Sequence, residues 1–391
     1  MLKCASAYTY EIDSQEDSFE EIKSQLDEKM TLLENTVGIV TCHPEFISSG
    51  ALMYICENLP FDVVGITTSA QAVDGESGEL ILTIFVMTSD DICFRTGITG
   101  CLGGGVGEPI KTAIERTIAG VTESPGLALV FPPLIFEYSG DSYAEELRKT
   151  IPNTPIFGPI AIDDTLTYEL SETIYNGENF RTAMPYILCY GNINPRFIVG
   201  TFPDDKVMPY KGEITKSSGS FVFEINNANA YKYFESIGFI KNGVLADSLQ
   251  LVPFAVDQIK RTDYDGIPVI RGIALFAEDG TAVFRGDVDE GSVFSILKFE
   301  ADDVLSTTKK TIKQINSLPD VNGALIFTCI GRRIMTMSIN PLIELEAARD
   351  GINPDIPFMM GYAGGEICPT LIKDGIPTNR YHNYSVIILI V

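Results

Sequence analysis

Gly323-Ala-Leu-Ile-Phe327, a helical stretch from Asn340-Pro341 to Gly351, and Pro357-Phe-Met-Met-Gly361 together decide the fold. The first run is short, apolar and bounded by turn residues, which reads as a buried strand. Asn340 serves as a helix cap, Pro341 fits the first turn and Gly351 is a stop. The last run is again apolar and closes on glycine. Strand, helix and strand in that order make a crossover, right-handed by rule, which sets two parallel strands side by side.

The same order occurs twice upstream. Val37 to Cys42, a helix over Glu45 to Asn58, and Phe61-Asp-Val-Val-Gly65 form one copy. Gly126-Leu-Ala-Leu-Val-Phe131, a helix opened by a Ser142/Glu145 capping box, and Pro155-Ile-Phe-Gly158 form another. Paired strands follow each copy. Gly75 and Gly78 precede Glu79 to Val86, Asn176-Gly177 precedes Ala183 to Tyr190, and Asp374-Gly375 precedes Tyr384 to Val391. Three copies in one order point to internal repetition.

Before the first copy stand a strand, Ala5 to Ile12, and a helix with a Ser18/Glu21 capping box. Phe19, Ile22, Leu26 and Met30 repeat along that helix at helical spacing. Crossovers joined to hairpins predict an α/β chain of mixed α+β character, with mixed β-sheets and helices on the outer faces. Asp204-Asp-Lys206 and Lys216-Ser-Ser-Gly-Ser220 break the apolar pattern. Two domains are therefore expected, 1–222 and 223–391, each on its own sheets. The length of 391 residues agrees, since single cores stop growing near 250–300 residues.

With 45% hydrophobic residues, disorder and low-complexity classes are excluded. Acidic residues number 53 against 28 basic ones, a net charge of −25. That field repels nucleic acid and anionic membrane surfaces. The longest apolar runs, such as Val386 to Val391, are strand-sized and imply no membrane insertion. No signal peptide opens the chain, and the eight cysteines have no C-x-x-C spacing. Reduced cysteines and a cytoplasmic location are the expectation.

Three stretches carry candidate chemistry. Gly97 to Gly107 is glycine-rich before a helix, but lacks the lysine of a phosphate loop, so a turn or packing role is the better reading. Cys42, His43 and Glu45 are too few for a metal site, and neither metal nor cofactor is expected. The third is richer. Cys329 and Arg332 lie at the end of the strand opening the last crossover, and Tyr362, Gly365 and Glu366 at the end of the strand closing it. His382 and Asn383 precede the terminal strand. Crossover topology brings such strand ends to one sheet edge, where α/β proteins place ligands. A small-molecule site follows, and an amino acid would suit it: Glu366 for an ammonium group, Arg332 or Arg333 for a carboxylate. A structural Glu366–Arg332 ion pair is the plain alternative. A thiol hydrolase or transferase using Cys329 and His382 is the enzymatic one.

These residues resemble the FIST family, the paired N- and C-terminal sensory domains of F-box and intracellular signal transduction proteins. The resemblance rests on Phe327-Thr-Cys-Ile-Gly-Arg332, Gly361-Tyr-Ala-Gly-Gly-Glu366-Ile and Tyr381-His-Asn383. Glu278-Asp-Gly280, Phe284-Arg-Gly286 and Ile214-Thr-Lys216 are also similar to family elements. Thr328, Ala363 and Tyr381 depart mildly from the family pattern. The resemblance implies sensing of a small ligand, amino acids among the candidates, with a separate signalling protein as partner and no catalysis. Some family members are described as binding haem, for which His382 is the candidate here.

Overall fold

The computed structural model describes residues 1–165, 167–202, 204–241, 244–245, 254–257, 269–298 and 300–391. A first repeat, residues 3–88, runs β1 (Lys3–Thr9), α1 (Gln15–Lys29), β2 (Thr36–Cys42), α2 (Glu45–Ser48), α3 (Ala51–Asn58), β3 (Asp62–Thr67), β4 (Gln71–Val73), β5 (Glu76–Gly78) and β6 (Leu82–Thr88). The second repeat, 92–191, follows the same plan. It comprises β7 (Ile92–Ile98), α4 (Gly107–Ile118), β8 (Leu127–Val130), α5 (Gly140–Thr150), β9 (Ile156–Pro159), β10 (Thr173–Tyr175), β11 (Glu178–Phe180) and β12 (Pro185–Gly191).

The third repeat opens with β13 (Arg196–Gly200) and is then interrupted. The insert holds β14 (Val207–Ser218), β15 (Phe221–Ile225), β16 (Ala228–Asn229), α6 (Ala230–Ser236), β17 (Ile240–Lys241), β18 (Val244–Leu245), β19 (Phe254–Asp257), β20 (Val269–Arg271), β21 (Ile273–Phe276), β22 (Ala282–Phe284) and β23 (Val293–Leu297). Most of these strands form one antiparallel sheet with its own apolar core around Phe234, Phe284 and Phe294. The repeat resumes with α7 (Ala301–Ser317), β24 (Ala324–Cys329), α8 (Ile330–Thr336), α9 (Ile343–Gly351), β25 (Phe358–Ala363), β26 (Glu366–Lys373), β27 (Ile376–His382) and β28 (Val386–Ile390).

Three sheets of one design result, in the orders β1-β6-β2-β3-β10-β11, β7-β12-β8-β9-β26-β27 and β13-β28-β24-β25-β4-β5. In each, the two crossover strands pair in parallel at the middle. The hairpin at the end of each sheet belongs to another repeat. β4–β5 completes the third sheet, β10–β11 the first and β26–β27 the second. Strands from both sides of residue 222 therefore share three sheets, the second, the third and that of the insert, and the expectation of separate sheets for 1–222 and 223–391 gives way. The physical reason is that a short hairpin is marginal alone and needs a sheet edge to pair with.

Alternation along the strands sorts the core into layers. Val37, Ile39, Leu129, Phe157, Leu325, Phe327 and Met359 point into a central core shared by the three sheets. The opposite faces are covered by helices: α1 and α3 on the first sheet, α4 and α5 on the second, α7 and α9 on the third.

Several helix starts differ from the sequence reading. Ser14, not Ser18, caps α1 by accepting from the Asp17 N–H; Ser18 lies inside the helix and bonds back to the Gln15 carbonyl. The Glu45 to Asn58 helix is broken into two at Gly50, whose φ of 81° is left-handed. Ser139 rather than Ser142 precedes α5, and α9 starts at Ile343, with Asn340 Oδ1 accepting from the Leu342 N–H. The short α8, directly after Cys329, was not foreseen.

Candidate functional site

The alternation that builds the core also divides the predicted site residues. On β24, Leu325 and Phe327 face the central core, so Cys329 follows on that side, while Thr328 faces the helices. On β25, Tyr362 lies on the helix side, where its hydroxyl donates to the Pro341 carbonyl and the Arg333 guanidinium covers its ring. Arg332 is on that side too. Its Nε and one terminal nitrogen donate to Glu344 Oε1 at 3.1 and 2.8 Å, and further bonds reach Thr308 Oγ1 and the Val304 carbonyl. Arg333 pairs with Glu79. The Glu366–Arg332 pair is therefore replaced by Glu344–Arg332, which occupies the Arg332 fork, while Arg333 gives one terminal nitrogen to Glu79 and keeps a buried Nε without a partner among the described residues.

Cys329, Glu366, His382 and Asn383 remain together. Glu366 opens β26 directly opposite His382 on β27. The tight link at residues 364–365 that delivers it needs glycine: Gly365 has a φ of 123°, and a Cβ there would overlap the Tyr381 hydroxyl. Tyr381 in turn donates to the Gly364 carbonyl at 3.1 Å and accepts from Asn383 Nδ2 at 2.9 Å. His382 Nε2 lies 3.1 Å from the Cys368 carbonyl oxygen, not on the thiol of Cys329. Ser385, unremarked in the sequence, donates to Glu366 Oε2 at 2.9 Å.

Two acceptors in this cluster are buried without a hydrogen bond from any described residue: Glu366 Oε1 and Asn383 Oδ1. Buried polar atoms are almost always paired, so two such orphans in one place ask for a donor. Burial drives the electrostatics. It raises the Glu366 carboxyl well above its ordinary value of 4.5, against smaller lowering effects from the Ser385 bond and the Arg332 charge. Burial pushes the Cys329 thiol up to about 12. Glu366 is thus a neutral acid that gains from meeting a cation, and Cys329 holds its proton.

A surface groove of about 980 Å³ contains neither Glu366 nor Cys329 and shares only Tyr381 with the cluster. There Arg271 of the insert pairs both oxygens of Asp141 at 2.8 and 3.0 Å, tying the insert to α5. The glycine-rich stretch is a surface loop ahead of α4, where Gly100, Gly104 and Gly105 face open space. His43 meets Asp164 at 3.3 Å, and no metal-binding group of side chains occurs among the described residues. No described helix is long and apolar enough to cross a membrane.

Glu366 makes a pH prediction. The unfolded carboxyl ionises above about 4.5 while the folded one stays protonated, so its contribution to stability is full below 4.5 and lost as pH rises. Glu366→Gln should remove that slope, and its melting temperature relative to wild type should rise between pH 5 and pH 8. Thermal melts at the two values check this; a variant equally destabilised at both would count against the carboxyl's buried, neutral state.

Comparison with curated proteins finds no match. Among solved structures, the chain is similar to cyanuric acid hydrolase from A. caulinodans, at 11% identity and a TM-score of 0.34, covering 100% of this chain and 98% of that one. That distant likeness bears on neither reaction nor ligand. Family models match along the chain, the FIST N domain over residues 36–228 and the FIST C domain over 230–369. FIST domains are sensory domains of signal transduction. The two matches run from β2 into β26, across all three crossovers and the insert, and the chain belongs to the FIST family.

Proposed function

We propose that this protein senses a small molecule bearing an ammonium group, received by Glu366, and reports its state to a separate signalling protein by contact. The observation that carries the reading is Glu366 Oε1, fully buried and accepting no hydrogen bond from any described residue. A cation arriving there releases the carboxyl proton and converts a costly buried acid into a charge-assisted pair. Asn383 Oδ1 supplies a second acceptor in the same cluster. The protonated thiol of Cys329 and the engagement of His382 Nε2 with a backbone carbonyl favour a sensor over a thiol enzyme. That same engagement of His382 also weighs against a haem ligand.

The test is a thermal-shift screen of amino acids and simple primary amines. A genuine ligand at a hundred times its Kd should add about 2.7 kcal/mol of stability. Glu366→Gln should abolish that shift while the variant still folds, because the glutamine oxygen can keep the Ser385 bond. A screen without any shift, or a shift that survives in Glu366→Gln, would refute the reading.

A further inference from the structure

The outer helices of the first and third repeats occupy matching places, and they differ at the seam between them. On the first sheet the seam of α1 and α3 is filled by rings: Phe19 and Tyr54 meet edge to face with centroids 6.2 Å apart. Phe19 stands five residues after its cap, Ser14. Leu305 stands five residues after Glu300, the cap of α7, and is smaller. On the third sheet an open groove of about 560 Å³ remains between α7 and α9. Leu305 and Ile312 of α7, with Ile343 and Ala347 of α9, supply its apolar surface. Residues 305, 309, 312, 313 and 316 recur at helical spacing, as do 343, 346, 347 and 350, so two stripes face one channel. From Leu305 to Asn316 the channel runs about 17 Å, three helical turns. Asn316 closes its far end by donating to the Gly351 carbonyl at 2.8 Å.

Charge separates the same two helices. α1 carries six acids against two lysines, and both lysines are paired, Lys23 with Asp27 and Lys29 with Asp74. α7 keeps its acids, Asp302 and Asp303, in the first turn, and then presents Lys309, Lys310 and Lys313, all exposed. None of these three makes an ion pair or hydrogen bond among the described residues. Lys309 and Lys313 line the groove. The acids of the facing wall are already engaged, Asp350 by Arg349 and Glu346 by Asn340, each at 2.7 Å. On a chain of net charge −25, unpaired lysines along an apolar channel are a local reversal of the field.

We infer that this groove receives an acidic amphipathic helix of the separate signalling protein, its apolar stripe on Leu305, Ile312, Ile343 and Ala347 and its carboxylates on Lys309 and Lys313. This rests on the reading of the protein as a sensor that reports by contact, and it names the surface that makes the contact. A helix laid in a groove uses apolar anchors three and four residues apart, and flanking charges fix its direction. A nucleic acid would leave the apolar surface unused and would face the negative field of the rest of the chain. The groove is also joined to the site. Arg332 donates to the Val304 carbonyl and Thr308 Oγ1 of α7, to Glu344 of α9 and to the Tyr384 carbonyl. The next residue, Ser385, holds Glu366. One guanidinium thus ties both walls of the groove to the segment that positions Glu366, which gives a bound ligand a route to the separation of the two helices.

The experiment titrates the intact protein with fluorescein-labelled synthetic peptides of about fourteen residues, four helical turns. One carries leucines at i, i+3, i+4 and i+7 spacing flanked by glutamates; the other has lysines in place of the glutamates. By fluorescence anisotropy the acidic peptide should bind at least about tenfold more tightly, although the overall charge of the chain favours the lysine peptide. The preference should shrink as salt is raised. Lys309→Glu with Lys313→Glu should reverse it, and Lys309→Gln with Lys313→Gln, which adds no new repulsion, should abolish it without changing the melting temperature. An acidic peptide that does not bind, or a preference that survives both double variants, would overturn the inference. Single-stranded RNA or phosphatidylserine vesicles held by these lysines in preference to the acidic peptide would overturn it too. The titration needs no small ligand, so the two readings fail separately. Failed peptide binding leaves the Glu366 reading standing, and a thermal-shift screen without a ligand leaves the groove standing.

Discussion

Glu344→Ala should cost about 3–5 kcal/mol of stability, the largest effect of any single side-chain truncation at this end of the third sheet. Glu344 and Arg332 are both fully buried. Removing the carboxylate leaves a guanidinium with only neutral partners, Thr308 Oγ1 and the carbonyls of Val304 and Tyr384, and no opposing charge. Thr328 would lose its own contact with Glu344 Oε2. Urea denaturation measures the loss, and a second variant isolates its cause. Changing both members to apolar residues of similar size, Arg332→Met with Glu344→Leu, should recover much of it, since the penalty lies in the unpaired charge rather than the missing bond. A single variant within about 1 kcal/mol of wild type would contradict the pair.

The second large effect concerns three glycines at matching places on β3, β9 and β25. Gly65 sits opposite Val40, Gly158 beside Val130, and Gly361 opposite Phe327. A Cβ on Gly65 would overlap the Val40 carbonyl oxygen, and one on Gly158 the Val130 carbonyl oxygen. Backbone cannot step aside as a side chain can. Gly65→Ala and Gly158→Ala should each cost more than about 3 kcal/mol and yield little folded protein. Gly361→Ala should be mild, because its nearest neighbour is Thr68 Oγ1 at 3.5 Å, an ordinary contact. Expression and melting of the three alanine variants decide the matter; equal behaviour of all three would contradict the register of the crossovers.

Those glycines were also what made the fold legible. Apolar runs closing on Gly65, Gly158 and Gly361 marked the three crossovers, because period, length and a terminal glycine are local properties of a chain. The exchange of hairpins was not legible. β4 and β10 are three-residue strands that, beyond their own hairpin partners, pair with strands far away in sequence, and nothing in Gln71-Ala-Val73 names β25. Helix starts erred where two cap signals competed, as with Ser14 and Ser18.

At the site, topology was read correctly and facing was not. Cys329, Glu366, His382 and Asn383 do come together, because strand ends joined by a crossover must. Tyr362 and Arg332 do not join them, since alternate residues at a strand end face opposite sides of the sheet. Applied to Leu325, Phe327 and Cys329, the two-residue period could have separated Tyr362. Glu344 looked like one more acid on a surface helix. Only the burial of Arg332 reveals it as a partner.

The ring of lent hairpins has a consequence for how the molecule can come apart. Each repeat is finished by another: the first closes the third, the third closes the second, and the second closes the first. A polypeptide ending at residue 222 would expose the edge of β9, where β26 belongs, and would strand β4–β5 without β25. Bare edges of that kind recruit other chains. Stability is therefore held in common, like the mutual support of three leaning poles. Emerging from the ribosome, the first two repeats must wait for the hairpin of the third before any sheet but the first is whole, which places the decisive folding event after the third repeat has been made.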